Sequence, residues 1–174
     1  MFSAATAWIQ QHKRISALED RTRQRIRIGR LERSVWPFET HGHTGAGYYF
    51  SIINLSETES LDNVRVDITS IAPDINYSPP PLPMHVKDDS YKTREFSINA
   101  GADRQIDIVT GPVRHPNCSQ GFCIVHTVTD EQRLVPDQSA KYRIAVRATA
   151  KNAPPATAIF EAWVGDGELQ CIAL

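Results

Sequence analysis

AKYRIAVRATAKNAPPATAIFEAWV, running from Ala140 to Val164, reads as two strands and the turn between them. From Lys141 to Ala150 the apolar side chains of Tyr142, Ile144, Val146 and Ala148 share one parity, while Lys141, Arg143, Arg147 and Thr149 take the other. A period of two is the signature of a strand with one dry and one wet face. Lys151-Asn-Ala-Pro-Pro breaks the ladder, because proline has no N–H to donate, and Thr157 to Val164 resumes with β-branched and aromatic residues. A sheet that is dry on one face needs a second layer, so a β-sandwich is the natural completion.

The same pattern recurs outward from this hairpin. Tyr48 to Asn54 is predicted as a strand, and Asn63 to Ile71 alternates with Val64, Val66 and Ile68 inward and Arg65, Asp67 and Thr69 outward. Arg94 to Ile98 and Arg104 to Thr110 are two more, joined by the turn Asn99-Ala-Gly-Ala. Phe122 to Val128 and Leu169 to Ala173 complete the set, with Gly111 to Gly121 expected as a long loop. Pro73 to Pro83 is an irregular crossover whose Pro79-Pro-Pro-Leu-Pro favours polyproline II; such a run resembles recognition peptides but reads more simply as a stiff connection. Seven or eight short strands without helical pattern between them predict a mainly β, immunoglobulin-like antiparallel sandwich over residues 48–174. Val64, Val66, Ile68, Phe96, Ile106, Ile108, Tyr142, Ile144 and Val146 are its expected core.

The chain of 174 residues is long enough for one such core plus an appendage. Its net charge of −1 hides an asymmetry: residues 1–33 carry eight Lys or Arg against three Asp or Glu, a balance of +5, which leaves −6 on the remainder. Ser3 to about Gly29 is helix-like, with Trp8, Ile15, Leu18 and Ile26 near one stripe, an i,i+4 pair of Glu19 and Arg23, and no proline. A heptad register decays at Gln11, Thr22 and Arg25, so coiled-coil pairing would be brief at most. Arg25-Ile-Arg-Ile also suits a strand, which would end the helix several residues early. Trp36-Pro37 and His41-Gly-His-Thr-Gly-Ala-Gly mark residues 34–47 as a linker.

Arg21, Arg23, Arg25, Arg27, Arg30 and Arg33 are the strongest electrostatic feature and the candidate partner-binding residues. On a helix they spread around most of the circumference, so they suit salt-sensitive, sequence-blind attraction to an anionic membrane surface or another acidic partner, not sequence-specific reading of nucleic acid. The plainer alternative is ion pairing with the acidic sandwich.

Other chemistry is sparse. His115, Cys118, Cys123 and His126 are a sensible donor set for tetrahedral zinc, although C-x4-C flanked by these histidines matches no established finger; structural cysteines or a loop disulfide are the alternatives. His41 and His43 alone would chelate weakly, and Cys171 reads as a small buried hydrophobe. There is no G-x-S-x-G, P-loop, H-E-x-x-H or dinucleotide-binding glycine turn, and Asp88-Asp89 and Asp166-Gly-Glu168 read as solvated turns, so no catalytic residue is assigned. No window approaches the ~20 apolar residues of a membrane helix. Met1 to Gln10 lacks the features of a secretory signal, and three cysteines are too few for a disulfide framework. Cytoplasmic placement is expected, peripheral to or tethered at a membrane if a segment precedes the sequence. Asn54-Leu-Ser, Asn76-Tyr-Ser and Asn117-Cys-Ser match the glycosylation pattern, which carries meaning only in a secreted protein.

Tyr49-Phe-Ser-Ile-Ile-Asn-Leu-Ser, Leu61-Asp-Asn-Val-Arg-Val, Phe96-Ser-Ile-Asn-Ala-Gly and Tyr142-Arg-Ile-Ala-Val-Arg-Ala-Thr together resemble the immunoglobulin-like modules of bacterial surface and membrane-associated proteins. The resemblance covers about Tyr48 to Val164, implies the sandwich fold and transfers no active site. The functional expectation is a non-catalytic interaction or accessory module, attached through its basic helix to a protein partner, another copy or a membrane surface. The alternative is a small zinc enzyme or zinc-stabilised domain built on residues 115–126.

Overall fold

The computed structural model describes residues 8–16, 25–38, 43–76, 79–87, 89, 93–115, 118–126 and 135–174, the side chains of 37, 38, 43, 44 and 112–120 excepted. Among the described residues, a short helix α1 (residues 8–16) is followed by ten strands. They are β1 (Ile26–Phe38), β2 (His43–Asn54), β3 (Leu61–Ala72), β4 (Leu82–Pro83), β5 (Phe96–Ile98), β6 (Asp103–His115), β7 (Cys118–Ile124), β8 (Tyr142–Ala150), β9 (Ala153–Gly165) and β10 (Glu168–Ala173). One sheet has the order β1-β2-β6-β7 and the other β10-β9-β8-β3-β4, with β5 also on β3. All the pairings are antiparallel. With β2 beside β6 at the centre of one sheet and β8 between β9 and β3 in the other, the two antiparallel sheets make a β-sandwich.

The predicted alternation holds where a strand has neighbours on both sides. Tyr142, Ile144, Val146 and Ala148 of β8 are buried, as are Val64, Val66 and Ile68 of β3 and Ile106 and Ile108 of β6; Phe96 is partly buried against the same core. Phe50 and Phe160 stack between the sheets at 5.0 Å, and Phe122 meets Tyr142 edge-on at 5.8 Å. The Tyr48 hydroxyl donates to the Leu169 carbonyl at 3.2 Å, tying β2 to β10 across the core. Burial pushes the Tyr48 phenol above its usual range, opposed in part by Arg33. Asn54 is the one buried polar side chain among the described residues. Its amide nitrogen lies within 2.7–3.2 Å of the Glu59, Ile98 and Asn99 carbonyls and its oxygen accepts from the Ser56 amide at 3.0 Å, which leaves no room for a glycan.

Three expectations are corrected. Residues 26–33 are not helix: β1 starts at Ile26, whose side chain is wholly buried in the sandwich core, while Arg27 points to solvent. The period-two reading of Arg25-Ile-Arg-Ile wins because burying Ile26 in the core outweighs local helical preference. Residues 34–47 are not a linker, since β1 continues through Trp36 and Pro37 to Phe38, and β2 begins at His43. Proline is tolerated because β1 is an edge strand, where a missing N–H breaks no ladder bond on the open side. Gly47 is an extended residue whose added Cβ would stand 2.9 Å from the Trp36 ring, so the indole takes the space of its side chain. The loop expected from Gly111 to Gly121 is instead most of the β6–β7 hairpin, with Gly111 at φ 155° in close approach to Gly121 and Phe122.

The crossover after β3 closes one side of the sandwich. Leu82–Pro83 pairs with Asp67 and Ile68, and the Met84 amide donates to the Val66 carbonyl at 2.8 Å. Two residues on, Val86 bridges to Ile106 in the other sheet and the Lys87 amide donates to the Gln105 carbonyl at 2.7 Å. Residues 82–87 thus strap the two sheets together and shield the open edges of β3 and β6.

Candidate functional site

Two surfaces carry more chemistry than packing requires. The first is α1. Its residues are all exposed, including Trp8 at 65%, Ile9 at 49% and Ile15 at 45%. Trp8 stacks on His12 at 5.1 Å, one turn along. Trp8 and Ile15, seven residues apart, fall on one face, with Lys13 and Arg14 on the other side of the helix. No described helix is long and apolar enough to cross a membrane.

The arginines do not share this helix. Arg25 precedes β1, with a side chain only 11% exposed, its guanidinium 2.7 Å from Glu59 and 3.4 Å from the Asn152 carbonyl. Its Nε and Nη2 are buried without a hydrogen-bond partner among the described residues. Arg33, on β1, pairs with Glu168 at 3.0 Å. These two pairs hold β1 and the residue before it to the rest of the sandwich, not a helix to it, and they take two of the six arginines out of a common binding face. Arg27 and Arg30 are exposed on β1, and Arg21 and Arg23 lie outside the described residues.

The second surface is a groove enclosing about 460 Å3 on the outside of the β1-β2-β6 sheet. Trp36 and Ser34 line it from β1, Gly47 from β2, Asp107 and Thr110 from β6, and His85 and Lys87 from the strap. Beside it, Lys87 Nζ sits 4.2 Å from the Tyr49 ring centroid. The Tyr49 hydroxyl donates to Glu32 at 2.9 Å, and this bond raises the phenol above its usual range. None of these residues was singled out as a binding residue from the sequence, because the groove depends on registers between strands far apart in the chain.

The expected metal set is not gathered by the strands. His115 and Cys118 are register partners at the end of the β6–β7 hairpin, and their side chains lie outside the described residues. Cys123 pairs with Thr110 at the other end of β7, five residues from Cys118, which in extended chain is ~16 Å. Its thiol is buried and pushed up to about 11, the direction opposite to that of a thiolate ligand. His126 follows β7, and burial lowers its pKa. Among the described residues there is no group of three His, Cys, Asp or Glu placed to hold a metal ion. Cys171 is buried as expected, its thiol pushed up to about 12. His41 lies outside the described residues, as does the side chain of His43.

No family model, curated protein or solved structure matches this chain.

Proposed function

We propose that the protein is a non-catalytic interaction module, a β-sandwich held at an anionic membrane surface through its N-terminal helix. The observation that carries this reading is the exposure of Trp8, Ile9 and Ile15 on α1, beside Lys13 and Arg14. A helix this short is marginal in water on its own, and one that leaves tryptophan and isoleucine in solvent gains by laying them on another surface. Tryptophan beside lysine and arginine is the composition of helices that lie at the headgroup level of anionic bilayers. The charge balance supports the orientation: residues 1–24 carry four Lys or Arg against two Asp or Glu, a balance of +2, and the remaining −3 lies on the part that includes the sandwich.

The test is co-sedimentation of the full chain with vesicles of phosphatidylcholine alone and of phosphatidylcholine with a third phosphatidylserine. Binding should require phosphatidylserine, weaken as salt rises past the ~8–10 Å screening regime, and be lost when residues 1–24 are removed. Salt-independent binding to both vesicle types, or none to either, counts against a membrane role. Concentration-dependent dimerisation that residues 1–24 alone abolish would put a second copy in its place.

A further inference from the structure

We propose that the outer face of β8, β9 and β10 is a second contact with the anionic bilayer, a proposal that rests on the membrane reading of α1 and adds a face of the sandwich to it. Phe160 and Ala162 of β9 and Leu169 and Cys171 of β10 point into the core, so their neighbours on each strand point out. Ile159 is 46% exposed, Ile172 44% and Leu174 62%. The register gathers these three. The Leu174 amide donates to the Ile159 carbonyl at 2.9 Å, and Ile172 sits opposite Glu161, two residues along β9 from Ile159. They form one apolar strip at the flank of the sheet, where a set of scattered surface residues would call for no explanation. Val35 and Leu55, the other strongly exposed aliphatic side chains of the described sandwich, stand at opposite ends of β1.

Charge complementarity identifies the partner. Residues 141–165 carry four Lys or Arg against the single acid Glu161, a balance of +3 within residues 25–174, whose sum is −3. Glu161 lies 3.6 Å from Lys141 and 3.3 Å from Arg143, so two exposed cations share one carboxylate, and Arg147 is exposed two residues further along the same face. On the neighbouring β3, Asp67 and Glu95 lie 3.6 and 4.0 Å from Arg65, which ends the basic face there. The acidic turn at residues 166–168 closes the far end of the β9–β10 hairpin, where Glu168 pairs with Arg33. Strands stand ~4.8 Å apart, so the arginines of β8 are two strands, ~10 Å, from Ile172. An apolar strip sunk ~5–10 Å into the headgroup and acyl boundary would leave those arginines at the level of the lipid phosphates. Trp163, whose ring centroid is 4.3 Å from Lys141 Nζ, adds the aromatic and cationic pair that belongs at that level.

Co-sedimentation of the full chain with phosphatidylcholine vesicles containing a third phosphatidylserine tests the proposal. Arg143→Gln combined with Arg147→Gln should weaken partitioning about tenfold or more at unchanged melting temperature, and so should Ile159→Ser combined with Ile172→Ser. Val35→Ser, which changes an exposed aliphatic residue of the other sheet, should leave it as it was. If the serine pair lowers the melting temperature, the glutamine pair carries the test with the same expectation. Undiminished binding by the glutamine pair overturns the proposal and leaves α1 as the attachment. Absence of binding by the unaltered chain overturns both readings. A dimer found by sedimentation equilibrium without vesicles, and lost in the serine pair, gives this face to a second copy and overturns the proposal as well.

Discussion

The β8–β9 and β1–β2 hairpins are both long and antiparallel, yet one announces itself in the sequence and the other does not. β8 lies between β9 and β3, so its backbone groups meet partner strands on both sides, and it buries one face in the core, so every second residue is apolar. β1 lies at the edge of its sheet, where Pro37 is tolerated. Its partner β2 carries Gly45 and Gly47, the latter beneath the Trp36 ring. Glycine, proline and His-Gly-His read as loop chemistry, and here they mark an edge strand and an indole resting on its neighbour. Alternation reports one buried and one solvated face, and its breakdown does not report the absence of a strand.

The largest effect should follow removal of residues 1–33, which takes Ile26, Ile28 and Leu31 with it and opens the edge of β2. At ~1.5–3 kcal/mol for each large buried side chain, the remaining chain should lose several kcal/mol in urea denaturation or fail to stay soluble. A truncation of equal stability would show that β1 is dispensable. Next come Ile144→Ala and Ile26→Ala, one from each hairpin and both fully buried. Each should cost about 2–5 kcal/mol. An Ile26→Ala cost below ~0.5 kcal/mol, that of an ordinary surface change, would return this residue to the helical segment.

Tyr48→Phe probes the link between the sheets more finely. It removes the hydrogen bond to the Leu169 carbonyl and leaves that buried acceptor unpaired, so a loss of about 1–2 kcal/mol is expected from thermal melts. A neutral result would mean that packing alone holds β2 to β10. Burial holds the folded phenol above its ordinary range, so this group favours the native state while protonated and withdraws that support as pH rises through and beyond the ordinary phenol range.

Much of the fold was legible, and the physical reason is uniform: β3, β6 and β8 bury one face and solvate the other, so Val64, Ile106 and Ile144 could be assigned to the core from parity alone. What escaped reading depends on distant partners. Ile26 sits at the right spacing for a helical stripe with Trp8 and Ile15, and only the sandwich interior decides otherwise. Pro73 to Pro83 was expected as an irregular crossover, and the strap that begins at its end takes its ladder bonds to both sheets from the residues it passes, not from its own prolines. The groove was invisible because Asp107 and Thr110 share a face only through the bulge at Ile108, and Trp36 meets Gly47 only through the β1–β2 register. The cluster at 115–126 was legible as chemistry but not as geometry, since an extended strand separates Cys118 from Cys123.

The chain divides between Arg25, held by Glu59 at the sandwich, and the exposed helix before it. Thermal melting of the chain lacking residues 1–24, compared with the full chain, tests this division. Because Trp8, Ile9 and Ile15 stand exposed on α1, the melting temperature should shift by less than about 2 °C. A fall of about 5 °C or more would mean that the helix braces the sandwich, and would contradict its role as a free attachment element.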